Sequence, residues 1–162
     1  MVGLSFCYRT ATDDDLEAIC TFPQTQEELF YFYPKATFPL TKNQLLQSIS
    51  HRSHSTVVEK NGVLAGFANF YEWQQDSYCK VGNFIVNPAL RRQGVARFLL
   101  DTMIFQAKES YNANQVQVAC FNENTEALLF YHKFGFVPFK LEQRQTFRGQ
   151  ETVLLHLCYE LI

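Results

Sequence analysis

The chain has 162 residues, 47% of them hydrophobic and 19% charged, with 16 Phe and 8 Tyr; so much buriable apolar surface excludes a disordered tail, and the length suits one domain over 1–162. Fourteen Lys and Arg against 16 Asp and Glu leave a net charge of −2, which excludes the global basic footprint of a nucleic-acid or anionic-membrane binder. The start, Met1-Val2-Gly3-Leu4-Ser5-Phe6-Cys7-Tyr8-Arg9, has no secretory pattern, no apolar run reaches the roughly 20 residues of a membrane span, and the five cysteines (Cys7, Cys20, Cys79, Cys120, Cys158) are scattered without a CxxC pair. A reduced, cytoplasmic protein is expected, with its cysteines as small core hydrophobes.

Leu4, Phe6 and Tyr8 alternate with Ser5, Cys7 and Arg9, the period of a first strand with one face inward. Thr12 before Asp13-Asp14-Asp15 predicts a helix start, an N-cap oxygen followed by acidic residues that complement the dipole, in a helix running to Cys20. Thr25 with Glu28 and Thr41 with Gln44 fit the capping box, so two more helices flank the proline-containing loop Tyr33–Leu40. Ser55–Lys60 and Val63–Tyr71 surround Asn61-Gly62, a type I′ hairpin turn. Tyr78–Val86 is a further strand, ended by Asn87-Pro88. After Gly94 the period changes: Ala96, Leu100, Met103, Ile104 and Ala107 recur at helical spacing for roughly four turns. Val116, Val118 and Cys120 alternate as a strand. Asn124 or Thr125 caps a helix with Ala127, Phe130, Tyr131 and Phe134 on its apolar face, and Gly135 ends it. Phe136–Gln145 and Thr152–Leu161 form a last hairpin across Arg148-Gly149.

Asn83-Phe84-Ile85-Val86-Asn87-Pro88-Ala89-Leu90-Arg91-Arg92-Gln93-Gly94-Val95-Ala96 carries the most chemistry: a buried strand runs into a turn that opens a helix. Unpaired amides converge at such a helix start, the dipole presents positive charge, and Gly94 lets a phosphate approach the backbone. Arg91, Arg92 and Arg97 add charge there. Physics alone leaves two readings open, an anion site and a simple cap on a solvated face. The Lys-Ser or Lys-Thr of a nucleotide P-loop is absent, and so is GxGxxG.

With its surroundings the stretch resembles the GNAT superfamily of N-acetyltransferases, whose acetyl-coenzyme A motif is Gln or Arg, two residues, Gly, one residue, then Gly or Ala. Arg91, Gly94 and Ala96 match it. The likeness continues through Asn122-Glu123-Asn124-Thr125-Glu126-Ala127 and Tyr131-His132-Lys133-Phe134-Gly135-Phe136, which look like the family's Asn-x-x-Ala and Tyr-x-Lys-x-Gly-Phe pattern. It is specific from Phe84 to Phe136 and weak in the N-terminal third.

The resemblance implies an α/β (α+β) fold: a mixed, mostly antiparallel twisted sheet of about seven strands, flanked by helices and splayed between its central strands. It also implies acetyl transfer from acetyl-CoA, as cosubstrate, to a primary amine. Phe84, Ile85 and Val86 would offer backbone groups to the pantetheine arm. Arg91, Arg92, Gln93, Gly94, Val95, Ala96 and Arg97 would bind the diphosphate, and Asn124 the pantetheine or coenzyme. A strand amide near Val86 would receive the thioester carbonyl oxygen. Tyr131 would sit beside the sulfur as general acid, its phenol remaining protonated at neutral pH with an ordinary pKa of about 10; the residue pattern alone also fits a core tyrosine.

No carboxylate stands on Tyr78–Val86, so a general base is sought elsewhere. Glu72 could take the amine's proton or anchor it, with Asp76 and Glu28 as weaker candidates; all three also fit solvated turns. Glu28, Tyr31 and Tyr33, on an acidic and aromatic helix before the proline loop, suit an amine substrate as well as an ordinary core face. His51-Arg52-Ser53-His54 lacks the partners of a zinc site and reads as a polar loop, so no metal is expected. Covalent catalysis by Cys120 is disfavoured for want of a histidine partner. Two rivals stand beside acetyl transfer: a non-catalytic acyl-CoA sensor or interaction module, and an acyltransferase using a longer acyl-CoA. An exposed sheet edge could pair two chains into a homodimer.

Overall fold

In the computed structural model, which describes residues 5–161, the elements follow the chain as β1 (Phe6–Thr10), α1 (Leu16–Cys20), α2 (Gln26–Phe32), α3 (Lys42–Ile49), β2 (Ser53–Lys60), β3 (Val63–Gln74), β4 (Tyr78–Val86), α4 (Val95–Tyr111), β5 (Gln115–Phe121), α5 (Thr125–Phe134), β6 (Val137–Gln145) and β7 (Glu151–Glu160), with single 3-10 turns at Asp13–Asp15 and Pro88–Leu90. The seven strands make one sheet in the order β1-β2-β3-β4-β5-β7-β6. Every pairing is antiparallel except β4 with β5.

Six consecutive residues of β3, Ala65–Phe70, are buried, as a strand covered on both faces requires. One face packs on α4 and α5 through Leu99, Leu100, Met103, Val81, Val118 and Tyr131. The other packs on α1, α2 and α3 through Leu16, Ile19, Leu29, Leu45, Val57 and Phe67. Phe67 is fully buried, so Phe67→Ala would cost about 3–5 kcal/mol. Thr25 and Thr41 cap α2 and α3 by accepting from the amides of Glu28 (3.1 Å) and Gln44 (3.3 Å).

The chain departs from the sequence expectations at several points. Leu4 lies outside the described residues; β1 is a largely exposed edge, where Phe6 stacks on Phe98 of α4 at 5.1 Å and Tyr8 faces solvent. The first helix opens as a 3-10 turn before α1, because Asp15 turns inward to a bidentate pair with Arg9 (2.7 Å each) and accepts from the Thr12 amide (2.8 Å). Only Cys79 and Cys120 are buried, while Cys7 is exposed. His54 is not in a polar loop: it is the second residue of β2, bonds Ser53 and Ser110 (2.9 Å each) and packs on Phe70 and Tyr111. Among the described residues no His, Cys, Asp and Glu cluster could hold a metal, and no helix is long and apolar enough to cross a membrane.

Candidate active site

Parallel pairing of β4 with β5 runs only from Tyr78↔Gln115 to Val81↔Val118. Beyond Val81 the strands part: β4 stays on β3 as far as Val86↔Gly66, and β5 stays on β7 to Phe121↔Leu154. The amides and carbonyls of β4 that face this splay, between Gly82 and Val86, have no strand partner there among the described residues, which is what an extended ligand arm needs for β-type pairing.

A β-bulge deforms β4 inside the splay. Phe67 pairs with Ile85 and Asn69 with Gly82, so Ala68 alone faces both Asn83 and Phe84. Asn83 takes a left-handed backbone (φ 46°) and is buried. Its side chain accepts from Ser48 Oγ and Asn69 Nδ2 (3.0 Å each) and donates to the Phe32 carbonyl (3.2 Å), tying the bulge to α2 and α3. Arg52 completes the chain, Nη1 donating to Asn69 Oδ1 at 3.1 Å. Motif reasoning missed this network; Asn83, an asparagine inside an apolar strand, was its one visible sign, since Asn adopts left-handed backbone more readily than most residues.

At the top of β4 the chain turns through Pro88–Leu90 into the arginine loop, with Arg92 (φ 62°) and Gly94 (φ 87°) both left-handed. The Phe98 amide makes the first helical bond back to Gly94 (3.1 Å). The preceding amides therefore lack helical acceptors and stand at the positive end of the dipole of the 17-residue α4, an arrangement that favours an anion. Arg91 donates to Glu28 Oε1 (2.8 Å), tying the loop to α2, while Arg97 lies over the Phe134 ring (4.3 Å) and pairs with Asp101. Lys60, buried beneath the loop, donates to the Gln93 side-chain oxygen. Gly94 stands clear of side chains, Phe6 Cζ being 3.7 Å from where a Cβ would lie.

Tyr131 on α5 is 7% exposed and packs against Phe84 of the splay edge (6.2 Å, edge-on) and Phe136 (5.6 Å). Burial pushes its phenol well above the ordinary value, with a further rise from Cys120 on the opposite edge. Tyr131 is thus held neutral between β4 and β5. Cys120 is itself pushed up to about 12 by burial, which removes it as a thiolate nucleophile. Asn124 is the N-cap residue of α5, and its side chain makes no capping bond.

The structure scatters the carboxylate candidates. Glu72 lies on β3 opposite Lys80, where Tyr78 (2.5 Å) and Lys80 (3.0 Å) hold it below the usual carboxylate range. Asp76 sits in the β3–β4 turn on Asn112 (2.8 Å), at the end of β4 away from the splay. Glu28 is taken up by Arg91 and the Gln24 amide (2.7 Å). Tyr31 packs near Phe121 (6.3 Å), and burial, then Glu123 and Glu27, raise its pKa. Tyr33 ends α2, close enough to Arg52 to act on its titration. Phe30 stacks on Phe121 at 4.4 Å and packs on Leu154, closing the groove toward β7.

The splayed β4–β5 pair, the glycine–arginine loop at the start of a long helix and the buried Tyr131 between the splayed strands lie along one groove. The chain belongs to the acetyltransferase (GNAT) family, whose profile matches residues 16–136. Acetyl-CoA is the cosubstrate used by that fold. Among solved structures it is similar to a ribosomal-protein-alanine N-acetyltransferase from Brucella melitensis (20% identity over 96% of this chain and 99% of that one, TM-score 0.74). It is also similar to an N-acetyltransferase from Staphylococcus aureus (20% identity, 98% and 99% covered, TM-score 0.75). A third likeness is to yncA from Salmonella typhimurium, solved with its cofactor acetyl-CoA (19% identity, 97% and 94% covered, TM-score 0.71). At these identities the likeness is one of fold. A search of curated proteins returned no match.

Proposed function

We propose that the protein transfers the acetyl group of acetyl-CoA directly to a primary amine, with Tyr131 as general acid. The observation that carries this reading is the buried, neutral Tyr131 beside the splay edge at Phe84. The pantetheine arm lies along the free edge of Phe84, Ile85 and Val86, the diphosphate against the amides of Gln93–Arg97, and Asn124 bonds the arm from the α5 start. The amine nitrogen attacks the thioester carbonyl carbon, whose oxygen is received by a free β4 amide. The tetrahedral intermediate collapses with cleavage of the C–S bond, and Tyr131 gives its proton to the leaving sulfur.

The amine arrives from the α1–α3 side, past Tyr31 and Tyr33. Glu72 is held too acidic to be an effective base, so its role is to anchor the ammonium while water takes the proton. Thiol release is the assay. Tyr131→Phe removes the acid without altering shape, so turnover should fall about 10²-fold or more while acetyl-CoA affinity stays unchanged; full turnover in the variant contradicts the assignment. Tyr131 stays protonated past the ordinary tyrosine value of about 10, so below that pH it contributes no alkaline loss of rate. Acetyl-CoA binding without release to any amine identifies a sensor, and faster release from longer thioesters identifies a different donor.

A further inference from the structure

The guanidinium of Arg52 lies over the point where β4 and β5 separate. Gly82 is the first β4 residue beyond the last β4–β5 pair, and a Cβ there would meet Arg52 Nη1 at 2.5 Å and Tyr71 Cδ1 at 2.6 Å. Cys79 and Val81 point to the α4–α5 core, so by strand alternation the bare side of Gly82 faces the α1–α3 layer, the approach assigned to the acceptor. Glycine at 82 is what admits an arginine to the vertex. Tyr71, the extra residue of a second bulge in β3, supports the guanidinium with its ring, 5.4 Å from the Arg52 carbon centre.

Among the described residues, the Arg52 guanidinium forms no ion pair. Glu72 is engaged by Lys80 and Tyr78, and Glu142 on β6 by Arg144 and His156. Burial, and to a lesser degree both carboxylates, raise the Tyr71 phenol. The groups that act on Arg52 itself are the phenols of Tyr71 and Tyr33. The guanidinium's single hydrogen bond among the described residues, to Asn69, uses one of its five N–H donors. Burial lowers its pKa with no carboxylate to offset the loss of water. A part-buried guanidinium with free donors and no counter-charge is a site for a carboxylate, which it meets with two parallel bonds.

We propose that the acceptor is a small zwitterionic amine of the α-amino acid class, its carboxylate received by Arg52 and its amine presented at the splay vertex. This rests on the acetyl-transfer reading of the site. A carboxylate next to the reactive nitrogen places the amine at the splay vertex when the acid is on Arg52. A peptide N-terminus or a lysine side chain carries no carboxylate at that spacing.

Thiol release by the wild-type protein is measured with free amino acids, the corresponding amino acid amides, the decarboxylated amines and short peptides. The free acids should be preferred over their amides in kcat/KM by about 10- to 100-fold, the range for a charge-assisted pair. In Arg52→Gln the preference should collapse toward unity, through a larger rise in KM for the acids than for their amides, and Arg52→Lys, which keeps the charge but not the two parallel bonds, should lose it in part. Amides or peptides turned over as well as the acids by wild-type protein would overturn the inference and leave acetyl transfer standing. Acetyl-CoA binding with no release to any acceptor would overturn both. The wild-type comparison needs no variant, so it holds even if losing the Arg52 bond to Asn69 unfolds the bulge.

Discussion

Tyr131, Lys60 and Asp15 are each set by one or two neighbours. The buried Lys60 ammonium finds a glutamine oxygen and no carboxylate among the described residues. Lys60→Met should weaken CoA binding about 2- to 5-fold by removing positive charge beneath the loop, and should not lower the melting temperature, since an uncompensated buried cation is lost with it. Calorimetric titration and thermal unfolding read the two effects; a large fall in melting temperature would assign Lys60 a structural role instead. Asp15 is held below the usual carboxylate range chiefly by Arg9. In the acid window between its folded pKa and the unfolded value near 3.9, the unfolded chain binds more protons, so stability rises with pH, is fully present above that window and is lost as pH falls through the folded value. Asp15→Asn should therefore cost about 1–2 kcal/mol at pH 7, and the difference in urea midpoint should vanish in strong acid. The positions of Tyr131 beside the splay and of Gly94 and the arginines at the start of α4 were legible in the sequence, because such motifs come with fixed spacing. Arg52 and Lys60 were not, because their meaning lies in what does not surround them, and spacing does not report an absent counter-charge.

Among the elements, β4 positions the chemistry. Its bulge depends on a left-handed Asn83 whose side chain reaches α2, α3 and β3 at once. Asn83→Ala should cost about 2–3 kcal/mol by stranding buried partners and keeping an unfavourable φ, and acetyl-CoA affinity should fall with it as the splay edge straightens. Gly82→Ala tests the other side of the strand: the methyl would displace Arg52 and Tyr71, so acceptor KM should rise while donor binding is preserved. Equal losses at donor and acceptor would show that the vertex is one unit. The strands and helices themselves were readable from period and caps, as the bonds to Thr25 and Thr41 show. The exposure of the first strand was not, because its partner sits on one side only and the alternation of Phe6 and Tyr8 carries no information about which strand is an edge.

For the whole molecule, net charge and site charge have opposite signs. The chain is −2 overall, yet Arg91, Arg92, Arg97 and Lys60 gather at one end of α4. Binding of acetyl-CoA should weaken as salt rises from low to physiological strength, and that of acetyl-pantetheine, which lacks the diphosphate, should not. The two ends of the sheet differ as well: β6 is an edge on which Val137, Phe139 and Leu141 stay exposed. The mixed, mostly antiparallel sheet with a splay between its central strands followed from the family resemblance, whereas the placing of Arg52 over Gly82 arises where the segment after α3 packs on β3 and β4, a contact that no motif spacing reports.

Calorimetric titration of acetyl-CoA into the wild-type protein and Gly94→Glu tests the central claim most directly. Saturable one-to-one binding by the wild type, weakened at least tenfold by a carboxylate placed against the diphosphate amides, is the result expected. No binding by the wild type, or equal affinity in the variant, would contradict the assignment of the splay and its arginine loop as the acetyl-CoA site.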